Sequence, residues 1–301
     1  MHPAVSVIFF TVTSGAGFGM IFLLGLGMPL RDGVVIAVLT SGLAIGLSVA
    51  GLVSSTFHLG HPERAWRAFS QWRSSWLSRE GVLAAVTLVL FAAYAFVWVF
   101  YGERIRWLGW LAAIFAVATV FATAMIYAQL KTVPSWNSRW TPACYLFFAL
   151  SSAVLGLGSF SNADQTGAFA NLAIGVLLLS WAAKMKWSQR AEAVGMAGSS
   201  TETATGLGDI GKVKLLEKPH SGENYLTKEM VHQIGRKHSQ KLRRFMIVCG
   251  GLLPLTGCFL ILIVNAPAFA FFPCFLAFLV GLFAERWLFF AEAKHSVSLY
   301  Y

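Results

Sequence analysis

The sequence predicts an all-α, polytopic integral membrane protein in which residues 1–301 form a single bundle of eight transmembrane helices. Of the 301 residues, 57% are hydrophobic and only 12% are charged, whereas about 25% are charged in an ordinary soluble domain. The mean hydropathy is +0.66, which excludes most soluble folds because their surfaces must be largely polar. The third observation is that the charged residues are separated by uncharged runs that are each about as long as a membrane span.

The spans are read from the runs that lack a charged residue. A helix needs about 20 apolar residues to cross a hydrocarbon layer about 30 Å thick. One run, residues 245–284, is twice that length, and the turn signal Asn265-Ala266-Pro267 divides it into two spans. The continuous apolar pattern excludes the alternating strands of an outer-membrane barrel. The first run is too long for a signal peptide and lacks a basic start, so we expect it to be retained. The other runs are 3–30, 33–57, 81–102, 107–130, 140–163 and 165–183.

The basic residues predict the orientation in a bacterial inner membrane. Eight spans put both termini on one side, here called side A. Side A holds 20 of the 23 Lys and Arg residues when Arg286, near the end of the last span, is included. The positive-inside rule therefore predicts that the termini and the 57–80 loop are cytoplasmic. An extramembrane loop at about 187–243 supplies many of these charges, but the sign of the bias is the same without it.

Two parts of that long loop have different character. Residues 190–211 are rich in Gly, Ala, Ser and Thr, and we expect them to lack fixed structure alone. Residues 226–244 predict a helix that continues into span seven. The Gly206–Gly211 match to the dinucleotide fingerprint G-x-G-x-x-G is rejected, because no βαβ unit surrounds it.

The loop after span two has an unusual composition for a connector. Residues 57–80 hold four arginines, three tryptophans, two histidines and two glutamates. Tryptophan and arginine together suit the docking of a partner. The candidate docking residues are Arg67, Trp72, Arg73, Trp76 and Arg79.

Three residues of the same loop are candidates for proton exchange. His58 ends span two and Glu80 opens span three, so antiparallel neighbouring helices would bring both to one depth. Such a pair could exchange protons with a quinone head group at the lipid boundary. Arg64 would orient a carbonyl oxygen, or else pair with Glu63 or Glu80. The alternatives are that His58 is a hydrogen-bonded histidine at the interface and that Glu80 is a carboxylate stabilised at a helix N-terminus.

The sequence offers no metal-binding pattern in this chain. The four cysteines lie singly in apolar spans, without the spacing of a zinc or iron–sulfur site. The histidines near span ends do not supply two facing axial ligands, so we expect no haem. These histidines are His2, His58, His61 and His295.

The motifs of this chain resemble a known family, the membrane anchor subunit of dimethyl sulfoxide reductase-type molybdoenzymes. The similar segments are His2-Pro3, Ser6–Phe10, Ser14–Gly19, His58–Ala65 and Leu77–Glu80. The resemblance implies a complex of three subunits: this anchor, an iron–sulfur subunit and a molybdopterin catalytic subunit. It implies that the anchor carries no metal and exchanges electrons with the quinone pool, with His58, Glu80 and Arg64 at the quinone site.

The direction of electron flow and two other functions stay open at this stage. A cytoplasmic catalytic arm resembles the sulfite-oxidising relatives, in which electrons reduce quinone. The alternative direction is quinol oxidation by a reductase of dimethyl sulfoxide or a related compound. A secondary transporter is disfavoured because the charges cluster at span ends and no half-to-half repeat is evident. A purely structural anchor is the remaining alternative.

Overall fold

The protein, described here by a computed structural model, is a bundle of membrane-spanning helices. The structure describes residues 4–29, 31–57, 61–194, 200–214, 216–217 and 239–296. Within them, eight helices are long and apolar enough to cross a membrane. They are α1 Val5–Gly25, α2 Val34–Thr56, α3 Trp76–Tyr101, α4 Arg106–Ala128, α5 Trp140–Gly158, α6 Ala163–Val194, α7 Ser239–Ile263 and α8 Phe271–Ala291. The predicted fold class and the predicted number of spans are therefore confirmed.

Helix α1 lies at the centre of the bundle, where it packs against α2, α4, α5 and α8. Its glycines permit this close packing. A methyl group at Gly17 would lie 2.3 Å from Ser48 Oγ on α2, and one at Gly19 would lie 2.2 Å from the Ala149 carbonyl oxygen on α5. Neither position has room for a side chain, which is typical of helix contacts in membranes.

Two helix boundaries differ from the prediction. Helix α3 begins at Trp76, so Glu80 lies one turn inside the helix rather than at its opening. Helix α6 continues to Val194, well beyond the charge-free run that predicted it and into the predicted loop. In both cases the helix includes charged residues and is therefore longer than its charge-free run.

The predicted division of the last long apolar run is confirmed. Helix α7 ends at Ile263, and Asn265 turns the chain with a φ of 48° before a short 3₁₀ helix leads into α8. Within α7, residues Val248–Leu252 form a π-helical turn. The Trp181 indole on α6 donates a 3.0 Å hydrogen bond to the Gly250 carbonyl oxygen of that turn.

The long loop is described only in part. A short helix, Thr201–Thr205, lies in the segment for which we expected no fixed structure. Of the helix predicted over 226–244, residues 226–238 lie outside the described residues. From Ser239 onward the chain is helical and continues into α7, as predicted.

One arginine holds the side B connections together. Arg104 donates hydrogen bonds to the carbonyl oxygens of Gly27, Pro29 and Arg31 at 2.7, 2.9 and 2.8 Å. Its guanidinium also lies 3.1 Å from Asp32 and 4.1 Å above the Trp98 ring. The connection between α1 and α2 is thereby fastened to the connection between α3 and α4.

Candidate functional site

Glu80 is a buried carboxylic acid near the side A end of α3. It is only 5% exposed, and the Thr123 hydroxyl on α4 donates a hydrogen bond to its Oε1. Among the residues described, no Lys, Arg or His lies within ion-pair distance of it. A carboxyl group with this partner can gain or release a proton without breaking an ion pair.

Helices α3 and α4 position this pair because they run antiparallel and pack along their length. Thr87 and Thr119 meet in the same interface, with their hydroxyl oxygens 3.1 Å apart. Thr119 and Thr123 are one turn apart on α4, so the helix presents both hydroxyls to α3. The interface therefore carries a short polar stripe that ends at Glu80.

The other two predicted proton-exchange residues are not brought to Glu80 by the described structure. His58 lies outside the described residues. Arg64 is exposed on a 3₁₀ helix, Pro62–Phe69, and its Nε lies 3.7 Å from Glu63 Oε1. Glu63 Oε1 also lies 2.9 Å from Nδ1 of His61. The structure thus has Arg64 paired with Glu63, which was one of the expected alternatives.

An aromatic cluster borders the Glu80 site on α4. Tyr127 follows Thr123 by one turn, and its ring stacks on Tyr145 of α5 with centroids 5.9 Å apart. Trp136 packs edge-on against Tyr127 at 5.4 Å and donates a 2.9 Å hydrogen bond to the Phe289 carbonyl oxygen. These contacts fix α4, α5 and α8 around one rigid block.

Sequence reasoning missed a buried ionic cluster beyond that block. Lys184 Nζ on α6 lies 2.5 Å from Glu285 Oε1 on α8, and Arg286 Nε donates to Glu285 Oε2. The Arg286 guanidinium lies 4.2 Å from the centre of the Tyr145 ring. All three charged residues are at most 7% exposed. Their position within apolar helices was the signal, because ionisable residues inside a membrane are rare and usually paired.

The candidate docking residues differ in their exposure and in their contacts within the chain. Arg67 and Arg73 are exposed and lie over the rings of Trp66 and Trp72, at 5.7 and 5.5 Å. Trp72 is 54% exposed. These residues offer flat aromatic surface together with positive charge at the side A face.

Arg79 and Trp76 instead stabilise the start of α3. Arg79 donates to the carbonyl oxygens of Trp72 and Arg73 at 3.0 and 2.7 Å. Trp76 packs edge-on against Phe121 of α4 at 5.9 Å. Because these two side chains are engaged within the chain, less of their surface and fewer of their hydrogen-bond donors are free to contact a partner.

Comparison with known proteins gives one family and two relatives. Residues 1–217 match the family described as DMSO reductase anchor subunit (DmsC). The C subunit of the sulfite dehydrogenase of Allochromatium vinosum is 34% identical in an alignment covering 100% of this chain and 99% of the relative. The C chain of the anaerobic dimethyl sulfoxide reductase of Escherichia coli is 29% identical over 54% of this chain and 58% of the relative. No solved structure shows significant similarity.

Proposed function

This chain belongs to the family of DMSO reductase anchor subunits, and we propose that it exchanges electrons between the quinone pool and a partner iron–sulfur subunit. The complex would contain a molybdopterin catalytic subunit as its third member. This chain would supply the membrane anchor and the quinone site, with quinone as an exchangeable substrate. The observation that carries the proposal is Glu80, a buried carboxyl group without a cationic partner among the described residues.

Quinone reduction requires two electrons and two protons for each molecule of quinol. The electrons would come from the iron–sulfur subunit, so the work of this chain is to supply protons at the right place. Glu80 would give one proton to a quinone oxygen and regain one from side A. We assign the second proton to His58, on the family motif alone. Thr123 would hold the Glu80 carboxyl in one orientation throughout.

Sulfite is the substrate that we propose for the catalytic subunit. Its oxidation to sulfate consumes water and releases two electrons and two protons, which matches the two-electron reduction of quinone. The relative that aligns over the full length of this chain belongs to a sulfite dehydrogenase. Reduction of dimethyl sulfoxide by quinol is the second candidate, and the partial match to a dimethyl sulfoxide reductase favours it.

The exposed Arg67, Trp72 and Arg73 support docking of the iron–sulfur subunit at side A. Exposed arginines laid over tryptophan rings offer charge-assisted hydrogen bonds together with apolar contact, a combination common at the centres of interfaces. We propose that side A faces the cytoplasm, since only three of the 23 basic residues lie on side B and 18 lie on side A even without Lys184 and Arg286, which are buried in the bundle. Fusions of a periplasm-active reporter enzyme after Glu103 and after Ser135 test this, and activity only after Glu103 is expected.

The central experiment compares Glu80→Gln with Glu63→Gln in membranes that contain the full complex. Glu80→Gln removes the exchangeable proton but keeps a similar shape. We expect it to lower sulfite-dependent quinone reduction by about 100-fold, the lower range for a lost acid–base group. Electron transfer from sulfite to a soluble artificial acceptor should stay unchanged. Glu63→Gln, at an exposed glutamate, should leave both reactions unchanged.

Two results would contradict the proposal. Normal quinone kinetics in Glu80→Gln would exclude Glu80 as the proton-exchange group. Sulfite-independent activity of the wild-type complex, with dimethyl sulfoxide oxidising quinol instead, would replace the proposed direction by the second candidate.

A further inference from the structure

A small cavity lies between α1, α5 and α8, near the buried ionic cluster. The volume open to the centre of a water-sized sphere is about 20 Å³. Apolar residues form much of its lining, together with Thr11 and Gly15 on α1, Tyr145 and Ser152 on α5 and Arg286 on α8. Residues from all three helices that carry hydroxyl groups or a guanidinium therefore lie beside this space.

Two of these groups have unused hydrogen-bonding capacity. Arg286 Nη1 and Tyr145 Oη have no partner at hydrogen-bond distance among the described residues, although the two side chains lie against each other. The two residues are 5% and 6% exposed, so bulk water does not satisfy them. A buried donor without an acceptor is costly, and most costly when it is charged.

The remaining polar groups can act as acceptors. The Thr11 hydroxyl donates to the Ile8 carbonyl oxygen at 3.1 Å, and the Ser152 hydroxyl donates to the Phe148 carbonyl oxygen at 2.9 Å. Both hydroxyl oxygens keep lone pairs that can receive a hydrogen bond. The cavity thus combines donors from α5 and α8 with acceptors from α1 and α5.

The volume decides which ligand fits. A site needs about 10–15 Å³ of this kind of volume to hold one water molecule, together with two to four polar partners. The cavity meets both conditions for one water.

The surroundings of Gly15 are a second observation that supports the cavity. A methyl group at Gly15 would meet no described atom within 4 Å, whereas Gly17 and Gly19 are pressed against neighbouring helices. Packing therefore accounts for Gly17 and Gly19 but not for Gly15. A side chain at Gly15 would reduce the cavity that this residue lines.

We propose that this cavity is a binding site for a single water molecule. The water accepts a hydrogen bond from Arg286 Nη1, pairs with Tyr145 Oη, and donates to the Thr11 or Ser152 hydroxyl. It links the arginine of the ionic cluster on α8 to α5 and, where Thr11 is the acceptor, also to α1. Gly15 determines the specificity of the site, because its missing side chain leaves room for one water. The proposal does not depend on quinone exchange.

The first test uses the sign of a stability change in the purified complex. Gly15→Ala is compared with Gly42→Ala on α2, where a methyl group also meets no described atom within 4 Å. Alanine favours a helix over glycine, so Gly42→Ala should raise the unfolding midpoint or leave it unchanged. Displacing the water should make Gly15→Ala lower the midpoint by a few degrees. A midpoint raised by Gly15→Ala would mean that the methyl group fills a dry void, and would overturn the proposal.

The second test detects the water in the wild-type complex, so it does not depend on the folding of a variant. X-ray footprinting in ¹⁸O-labelled water oxidises side chains that lie beside bound water. Tyr145 should be labelled several-fold faster than Tyr94, which is also buried but whose hydroxyl donates to the Leu24 carbonyl oxygen. Equal rates would overturn the proposal. Loss of the Tyr145 label on addition of a quinone analogue would also overturn it, because the ligand would then be the analogue.

Discussion

Two buried glutamates near the side A end of the bundle differ in their partners rather than in their burial. Glu80 is 5% exposed and Glu285 is fully buried. Glu285 lies between Lys184 and Arg286, whereas Glu80 has a hydrogen bond from the Thr123 hydroxyl. Burial alone therefore does not separate a structural carboxylate from a reactive one.

The difference has a physical consequence for proton exchange. Protonating Glu285 would leave two cations uncompensated inside the membrane. The ionic cluster therefore keeps Glu285 ionised. Protonating or deprotonating Glu80 breaks no ion pair among the described residues. The bundle thus contains one carboxylate suited to hold helices together and one suited to exchange a proton.

The largest expected effect is that of Glu285→Gln. This change leaves Lys184 and Arg286 without their shared anion, and breaking a buried pair in this way costs about 3–5 kcal/mol. We expect a strong loss of folded protein in membranes, measured by the fraction that survives detergent extraction and size-exclusion chromatography.

A matched control is Glu292→Gln, at an ion pair with Arg243 that is partly exposed. It should cost at most about 1 kcal/mol, as exposed ion pairs do. Equal losses of folded protein in Glu285→Gln and Glu292→Gln would contradict the structural role assigned to Glu285, because it would then stabilise the protein no more than a peripheral residue.

Lys184→Met should have the next largest effect on stability. The change removes one of the two cations but leaves Glu285 paired with Arg286, so we expect about half of the cost of Glu285→Gln. Thermal unfolding of the purified complex measures it. A loss as large as that of Glu285→Gln would assign the whole stabilisation to the Lys184 pair.

Thr123→Val tests whether the hydrogen bond to Glu80 matters for proton exchange. It removes the hydroxyl that orients the carboxyl, and leaving a buried polar group unsatisfied costs about 1–3 kcal/mol. We expect quinone turnover to fall about 10-fold, since about 1.4 kcal/mol corresponds to that factor. Thr123→Ser keeps the hydroxyl and should retain most of the activity. Identical turnover of the Val and Ser variants would exclude an orienting role.

The smallest effect is expected for Tyr127→Phe. The ring contacts with Tyr145 and Trp136 are kept, so the stability of the complex should change by less than about 0.5 kcal/mol. Quinone turnover should change less than two-fold. A larger loss of turnover at unchanged stability would add the Tyr127 hydroxyl to the Glu80 site.

Composition and the spacing of charges predicted the eight spans, including the turn at Asn265. The spacing of charges predicts that α6 ends before Lys184, whereas the helix continues to Val194. Lys184 lies within the bundle since Glu285 neutralises it from a helix a hundred residues further along the chain. A search along the sequence does not show such a pairing.

The same limit applies to the candidate site. Glu80 was found because it follows a distinctive loop, but its partner Thr123 is an ordinary polar residue 43 positions away. Arg64 was grouped with Glu80 because both belong to the motif of the 57–80 loop, and the fold places it beside Glu63, which was one of the expected alternatives. Glu285 and Arg286 could have been found by asking which charges interrupt an apolar helix.

The hydrogen bonds of Arg104 on side B make the connection between the two helix hairpins independent of redox conditions. It joins two hairpins across more than 70 positions of sequence by bonds to backbone carbonyl oxygens. A secreted protein often achieves the same restriction with a disulfide, but this fastening contains no sulfur. It holds equally well in an oxidising or a reducing compartment, and thiol reagents leave it closed.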